Sequence, residues 1–235
     1  MPSLVYSLLT ICQTSIINSL FKCNLIAKVK IMKKMVLSWQ DARTEQVLVD
    51  VLKSGKIVLA TTDTVLGLFS CADSSGFFAL NTLKKRSEKP YLLLLSDPLA
   101  LDGYVDVKNC MFVKNIMKRY WPGPLTIIFK AQAWVPEYMK GPDGTIAFRI
   151  PNHEKIRSLV AKTGPLFSTS ANLFQKSVPH TFENISGAIL QAVECFVGTN
   201  QEVNLDPSTI VDCSSGKLVM VREGSISKTA LTGVF

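Results

Sequence analysis

The residues best equipped for chemistry fall into two hydroxyl-rich turns and a set of separate cations. Thr61-Thr62-Asp63-Thr64 follows the apolar run Ile57–Ala60, and Ser168-Thr169-Ser170-Ala171-Asn172 follows Leu166-Phe167 in the same way. A third short segment, Pro207-Ser208-Thr209, leads into another apolar run. The cations are Lys84, Lys85, Arg86 and Lys89 before the run 91–95, then Arg149 inside a strand-like segment, then Arg222. A buried strand that empties into a hydroxyl-rich turn is where open α/β sheets bind ligands. The plainer reading of the same residues is ordinary turn chemistry. Charge runs are most often solvated faces, yet four cations directly before a buried strand suit a phosphate clamp. An arginine within a strand needs an anionic partner, either a structural carboxylate or a ligand. Anion binding is the common theme.

The elements that must hold these residues alternate in type. The spacing predicts a helix over 44–54 with Val47, Leu48, Val51 and Leu52 on one face, closed by Gly55 in the left-handed conformation. Ser74 or Ser75 is placed to cap a second helix bearing Phe77, Phe78, Leu80 and Leu83. A strand over 91–95 follows, then a helix over 108–120 that ends at Trp121-Pro122-Gly123-Pro124, a rigid turn before a strand over 125–129. Residues 133–144 read as a loop and 145–150 as the strand carrying Arg149, which alternates with Ala147 and so shares its face. Further on, the pattern gives a helix over 154–163, a long helix capped by Thr181 and running to Val193, and strands over 210–212 and 218–221. Strands alternating with helices indicate an α/β class with a mixed, twisted sheet.

Composition sets the frame around them. The chain has 235 residues, 19% of them charged and 47% apolar, which suits one globular domain with an appendage. The formal charge is +8, but residues 1–34 hold five lysines and no acid, so five of the 26 basic residues lie there. The remainder has 21 against 18 acidic residues, a balance of +3 and no sequence-wide nucleic-acid footprint. Six scattered cysteines without a CxxC, and only His153 and His180, give no basis for a zinc site, redox motif or disulfide framework. The cysteines read as small buried hydrophobes in a reducing cytoplasm.

Residues 1–38 form an N-terminal extension, and the domain proper is expected over 39–235. In the extension the apolar stretch precedes the basic KVKIMKK, the reverse of a signal peptide. Polar residues interrupt it too often for a membrane-spanning helix, and the absence of arginine argues against a transit peptide. The expectation is a dispensable segment with Met35 as the working start.

Taken together and in order, these segments resemble the YrdC-like family of threonylcarbamoyl-AMP synthases, in its short single-domain form. The resemblance rests on TTDTVLGL at 61–68, Lys84 and Arg86 as KxR, and WPGPLT at 121–126. It continues through AFRIP at 147–151, STSAN at 168–172, PSTIVD at 207–212 and VREG at 221–224. It implies a twisted mixed α/β sheet around a concave cavity. It further implies an enzyme that joins L-threonine, bicarbonate and ATP into L-threonylcarbamoyladenylate and pyrophosphate, with Mg²⁺ accompanying the triphosphate. A separate transfer complex would then modify N6 of adenosine 37 in tRNA, with weak tRNA binding here and no membrane. Both bond-forming steps use substrate nucleophiles, so the protein need only align reactants and neutralise charge. Carried over by position, the resemblance places L-threonine against Thr62, Arg149, Ser168 and Ser208, with Arg149 pairing the carboxylate. ATP would lie against Lys84, Arg86, Lys89, Thr145, Ser170, Asn172 and Arg222, with Lys84 and Arg86 on the phosphates.

The chain departs from the family pattern at four places. Thr61 stands where proline is usual and Leu66 where tyrosine is usual. The spacing from KxR to the Lys-Pro pair is one residue short, and LFQKS replaces an LSG-type run. Two readings of other classes remain beside the synthase. One is a non-catalytic RNA-binding module using the same face, which the +3 core disfavours. The other is a paralogue that keeps the fold and has lost threonine activation, motivated by Leu66.

Overall fold

The computed structural model describes residues 35–85, 90–105, 111–173, 175–198 and 206–232. Among the described residues ten strands make a single sheet: β1 (Met35–Leu37), β2 (Ile57–Ala60), β3 (Gly67–Cys71), β4 (Leu92–Leu94), β5 (Leu125–Lys130), β6 (Thr145–Arg149), β7 (Leu166–Ser170), β8 (Val193–Val197), β9 (Thr209–Asp212) and β10 (Val219–Arg222). The helices are α1 (Thr44–Lys53), α2 (Ser74–Lys84), α3 (Met111–Tyr120), α4 (Glu154–Thr163), α5 (Gly187–Ala192) and α6 (Lys228–Thr232). Strand order is β1-β8-β2-β3-β7-β4-β6-β5-β9-β10. Parallel pairs occur at β1/β8, β8/β2, β4/β6 and β5/β9, and the other neighbours are antiparallel. This is the expected mixed α/β sheet.

Side chains alternate across the strands and sort the core into two layers. One face carries Leu59, Leu68, Leu93, Ile127, Phe148 and Val211, packed under Leu80 of α2, Val113 and Ile116 of α3, and Ile189 of α5. The opposite face carries Val58, Ala60, Phe69, Leu94, Leu166 and Cys195, covered by Leu48 and Leu52 of α1 and Ile156 and Leu159 of α4. Lys162 ties these two helices together through Glu45 at 2.7 Å. The α1–α4 layer covers only one half of its face. Beyond β4 that face runs on through the half-buried Ala147, Ile128 and Ile210, with no helix among the described residues in its apolar cluster.

Several sequence expectations hold. Helices α1 and α4 fall where the apolar period put them, and Gly55 closes α1 at φ +76°. Other elements differ. Helix α2 is capped by Asp73, whose Oδ1 accepts from Gly76 N at 2.8 Å, because Ser74 and Ser75 already lie inside its first turn. Phe78 on that helix is exposed and does not join the core. The sheet begins at Met35, which the expected boundary at residue 39 left in the extension. The segment read as one long helix from Thr181 breaks into a 3-10 turn, the short α5 capped by Ser186, and strand β8. The β-branched and aromatic residues of VECFV pair with β1 and β2, and that tertiary pairing overrides the helical period. Strand β3 had no helical or alternating signal because it is buried on both faces. Of the expected helix over 108–120, residues 111–120 are seen as α3, and 108–110 lie outside the described residues.

Candidate active site

Strand alternation brings Thr145, Arg149 and Arg222 to the uncovered half of the sheet, and Ser168 and Ser170 to the same side on β7. Ile146 and Phe148 point into the first core layer, so Thr145, Ala147 and Arg149 point to the other side. Phe167 points the same way as Phe148, which leaves Ser168 and Ser170 on Arg149's side. Both serines therefore lie on strand β7 itself and not in the turn that the sequence suggested. Register then fixes the neighbourhood: Leu94 pairs with both Arg149 and Leu166, while Ser168 sits opposite Leu92.

Arg149 is the centre of this face. Its guanidinium is buried and held from three directions. Nε donates to the Gly123 carbonyl at 3.1 Å, Nη1 to Thr64 Oγ1 at 2.7 Å, and Nη2 to Asp63 Oδ1 at 2.6 Å. The second oxygen of Asp63 accepts from Asn152 N at 2.9 Å, at the entry to α4. Desolvation pushes the Arg149 pKa down, and Asp63 works against that shift. The anionic partner that an in-strand arginine requires is thus a structural carboxylate, Asp63, from the turn after β2. Thr62 belongs to the same knot, with its hydroxyl 3.1 Å from that of Thr64. Three of the five guanidinium N–H donors are used, so one remains on each terminal nitrogen. A carboxylate ligand can still be gripped there end-on.

A second arginine shares the face. Arg222 of β10 donates to the Ser208 carbonyl through Nε at 3.2 Å and Nη2 at 2.7 Å. Its pKa is lowered, first by desolvation of the guanidinium and then by the charge of Arg149, which places the two cations within electrostatic reach. Ser208 is buried and its hydroxyl lies 2.9 Å from that of Thr126. Next to it, the buried Thr209 hydroxyl accepts from Gly224 N and Ile226 N and donates to the Ile226 carbonyl at 2.7 Å. This grip needs glycine at 224, because a Cβ there would lie 2.1 Å from the Pro207 carbonyl oxygen. Ser168 and Thr145 differ from these: both are half-buried, and their hydroxyls have no protein partner among the described residues.

Lys84 sits differently from the sequence expectation of a phosphate ligand. Its buried ammonium donates to the Ser170 carbonyl at 3.0 Å, the Asn172 carbonyl at 2.5 Å and Asn172 Oδ1 at 3.0 Å. Asn172 Oδ1 also accepts from Ser170 Oγ at 2.6 Å. These bonds lock the end of β7 to α2, and a phosphate contact would require Lys84 to exchange one acceptor. Arg86 and Lys89 lie outside the described residues. Leu66 is buried in the first core layer, so its departure from the family's tyrosine falls on the core side and not on the open face. Sequence reasoning assigned no role to Asp63, Thr64 or Thr126. All three stood inside quoted motifs, but their partners lie 82 or more residues away. Among the described residues no three of His, Cys, Asp and Glu gather as a metal cage.

Comparisons with known proteins agree with this architecture. The Sua5/YciO/YrdC family model, described as telomere recombination, matches residues 50–224. A relative from Methanocaldococcus jannaschii is 31% identical over 175 residues, covering 74% of this chain and 82% of its own. The threonylcarbamoyl-AMP synthase of Pseudomonas savastanoi pv. phaseolicola is 27% identical over 187 residues, covering 79% of this chain and 98% of its own. Among solved structures, P. abyssi Sua5 complexed with L-threonine superposes with a TM-score of 0.76 at 23% identity, over 85% of this chain. The chain spans 60% of that protein. E. coli YciO superposes at 0.70 and 21% identity, over 84% of this chain and 99% of its own.

Proposed function

The chain belongs to the Sua5/YciO/YrdC family, and on that premise we propose that it is a threonylcarbamoyl-AMP synthase of the nucleotidyltransferase type. It joins L-threonine, bicarbonate and ATP into L-threonylcarbamoyladenylate and pyrophosphate, the activated donor for N6-threonylcarbamoyladenosine at position 37 of tRNA. The observation that carries the reading is that Arg149 and Arg222 share the uncovered sheet face, with Thr145 further along β6 and Ser168 on the same side of the sheet on β7, while the motif order of the threonylcarbamoyl-AMP synthases is kept along the chain.

In this reading the two remaining donors of Arg149 hold the threonine carboxylate, and Ser168 supplies a hydroxyl beside it. The amine captures bicarbonate or CO₂, and the resulting carbamate oxygen attacks the α-phosphorus of ATP while pyrophosphate departs. Arg222 faces the phosphates, where developing charge is neutralised by fixed donors. Thr145, Ser170 and Asn172 border the nucleotide, and Arg86 and Lys89 are assigned to its phosphates by motif. Mg²⁺ would accompany ATP as part of the substrate and supply charge neutralisation on its phosphates. The product passes to a transfer complex in a transient contact, with weak tRNA binding at most. No described helix is long and apolar enough to cross a membrane; a cytoplasmic setting is part of the proposed reading.

Pyrophosphate release by the full chain, with ATP, Mg²⁺, bicarbonate and L-threonine omitted one at a time, tests the proposal. Release that requires both L-threonine and bicarbonate is the expected result. Release independent of threonine, or none from a folded protein, removes it.

A further inference from the structure

Two arginines within reach of each other on an open face present a selectivity problem, because a polyanion is drawn to both. The two are not equivalent. Arg222 rests on a neutral carbonyl and a hydroxyl of Ser208, so its pole keeps a full positive charge. Arg149 carries the carboxylate of Asp63 against Nη2 at 2.6 Å, with the two side chains 5% and 13% exposed. In so little water this charge is weakly screened and largely offsets the guanidinium. Asp63 is itself fixed by Asn152 N, and the Gly123 carbonyl occupies Nε. Side-on approach to Arg149 is therefore closed, and only the two terminal nitrogens remain.

We propose that Asp63 is a positioning and selectivity residue: it turns Arg149 into an end-on clamp of near-zero net charge that accepts a single carboxylate and rejects phosphate. A carboxylate needs two parallel N–H donors and little net charge, particularly when the same ligand carries an ammonium group. A phosphate or triphosphate brings two or more negative charges and meets Asp63 directly. Phosphate groups are thereby sorted to the Arg222 side, and the amino-acid carboxylate to the Arg149 side. The identification of that carboxylate as L-threonine rests on the proposed function; the rejection of phosphate does not.

The experiment is calorimetric titration of inorganic phosphate into the full chain, as wild type, Asp63→Asn, and the double variant Asp63→Asn/Arg149→Gln. Removing the Asp63 charge is expected to tighten phosphate binding about tenfold or to open an additional site. The double variant is expected to lose that gain. A loss of packing alone would not create phosphate binding that depends on Arg149. In the wild type, phosphate is expected to leave L-threonine affinity unchanged while weakening ATP binding. Equal phosphate binding by folded wild type and Asp63→Asn overturns the inference, as does displacement of L-threonine by phosphate from the wild type. Should Asp63→Asn be unfolded without ligand, phosphate must restore a cooperative melt by seating on Arg149; lack of rescue also overturns it. A wild type that binds no L-threonine removes the synthase reading, and the phosphate comparison still decides the role of Asp63.

Discussion

Arg222 clasps the Ser208 carbonyl with two nitrogens, at 3.2 and 2.7 Å, so the last strand of the sheet is stapled to the segment that enters the strand beside it. The staple aims a cation at the open face and leaves Nη1 uncommitted among the described residues. Hydrogen bonds from charged donors are about twice as strong as neutral ones. Replacing Arg222 by alanine is expected to raise the KM for ATP about 10- to 100-fold, with a smaller effect on L-threonine. Ser208→Ala keeps the carbonyl and should cost much less. Initial-rate kinetics on both variants, with each substrate varied, separates the two effects.

Thr209 supports that staple from beneath. Its buried hydroxyl makes three bonds to Gly224 and Ile226, so valine in its place leaves two backbone N–H groups and a carbonyl to find new partners. The expected cost is about 2–3 kcal/mol in stability, read by denaturant unfolding. Because Gly224 follows Arg222 by two residues, the variant should also weaken ATP while leaving L-threonine nearly unaffected.

How much of this could be seen in the chain beforehand depends on how local each signal was. Helix α4 was legible because Ile156, Leu159 and Val160 recur at helical spacing, and the Arg149 strand because Ile146 and Phe148 alternate with it. The face that Arg149 shares with Ala147 followed from the same alternation. What escaped was non-local. Strand β8 is a strand because β1 and β2 flank it. Lys84 is spent on residues 86 and 88 positions away, and the Asp63–Arg149 pair spans 86 residues. No window of sequence reports such pairings. The ordered motif set named Arg149, Arg222 and Ser168, which strand alternation places on one side of the sheet, while which of their donors are spent inside the protein needed coordinates.

Breaking the Asp63–Arg149 pair from one side strands a charge with little access to water. Arg149→Ala is expected to cost about 3–5 kcal/mol, the scale for removing one partner of a buried pair. Part of that should return in Asp63→Asn/Arg149→Gln, where no net charge is left behind. Unfolding free energies for the two single variants and the double variant give the coupling directly. The double variant, although folded, should show no threonine-dependent pyrophosphate release.

His153 makes the entry to α4 sensitive to acid. Its Nδ1 accepts from Ile156 N at 3.3 Å as the helix cap, and its ring lies 5.3 Å from that of Trp39. Desolvation lowers its pKa below the ordinary 6.5, and the nearby Asp63 opposes that only in part. The folded state therefore binds fewer protons than the unfolded state as pH falls below about 6.5, so stability must fall with it. Protonation would also remove the acceptor that caps the helix. Above that pH both states are neutral and the residue adds no slope. His153→Asn keeps a good capping side chain and cannot titrate. Melting temperatures measured at pH 7.5 and 5.5 should drop more in the wild type than in His153→Asn; equal drops would show that other groups carry the acid sensitivity.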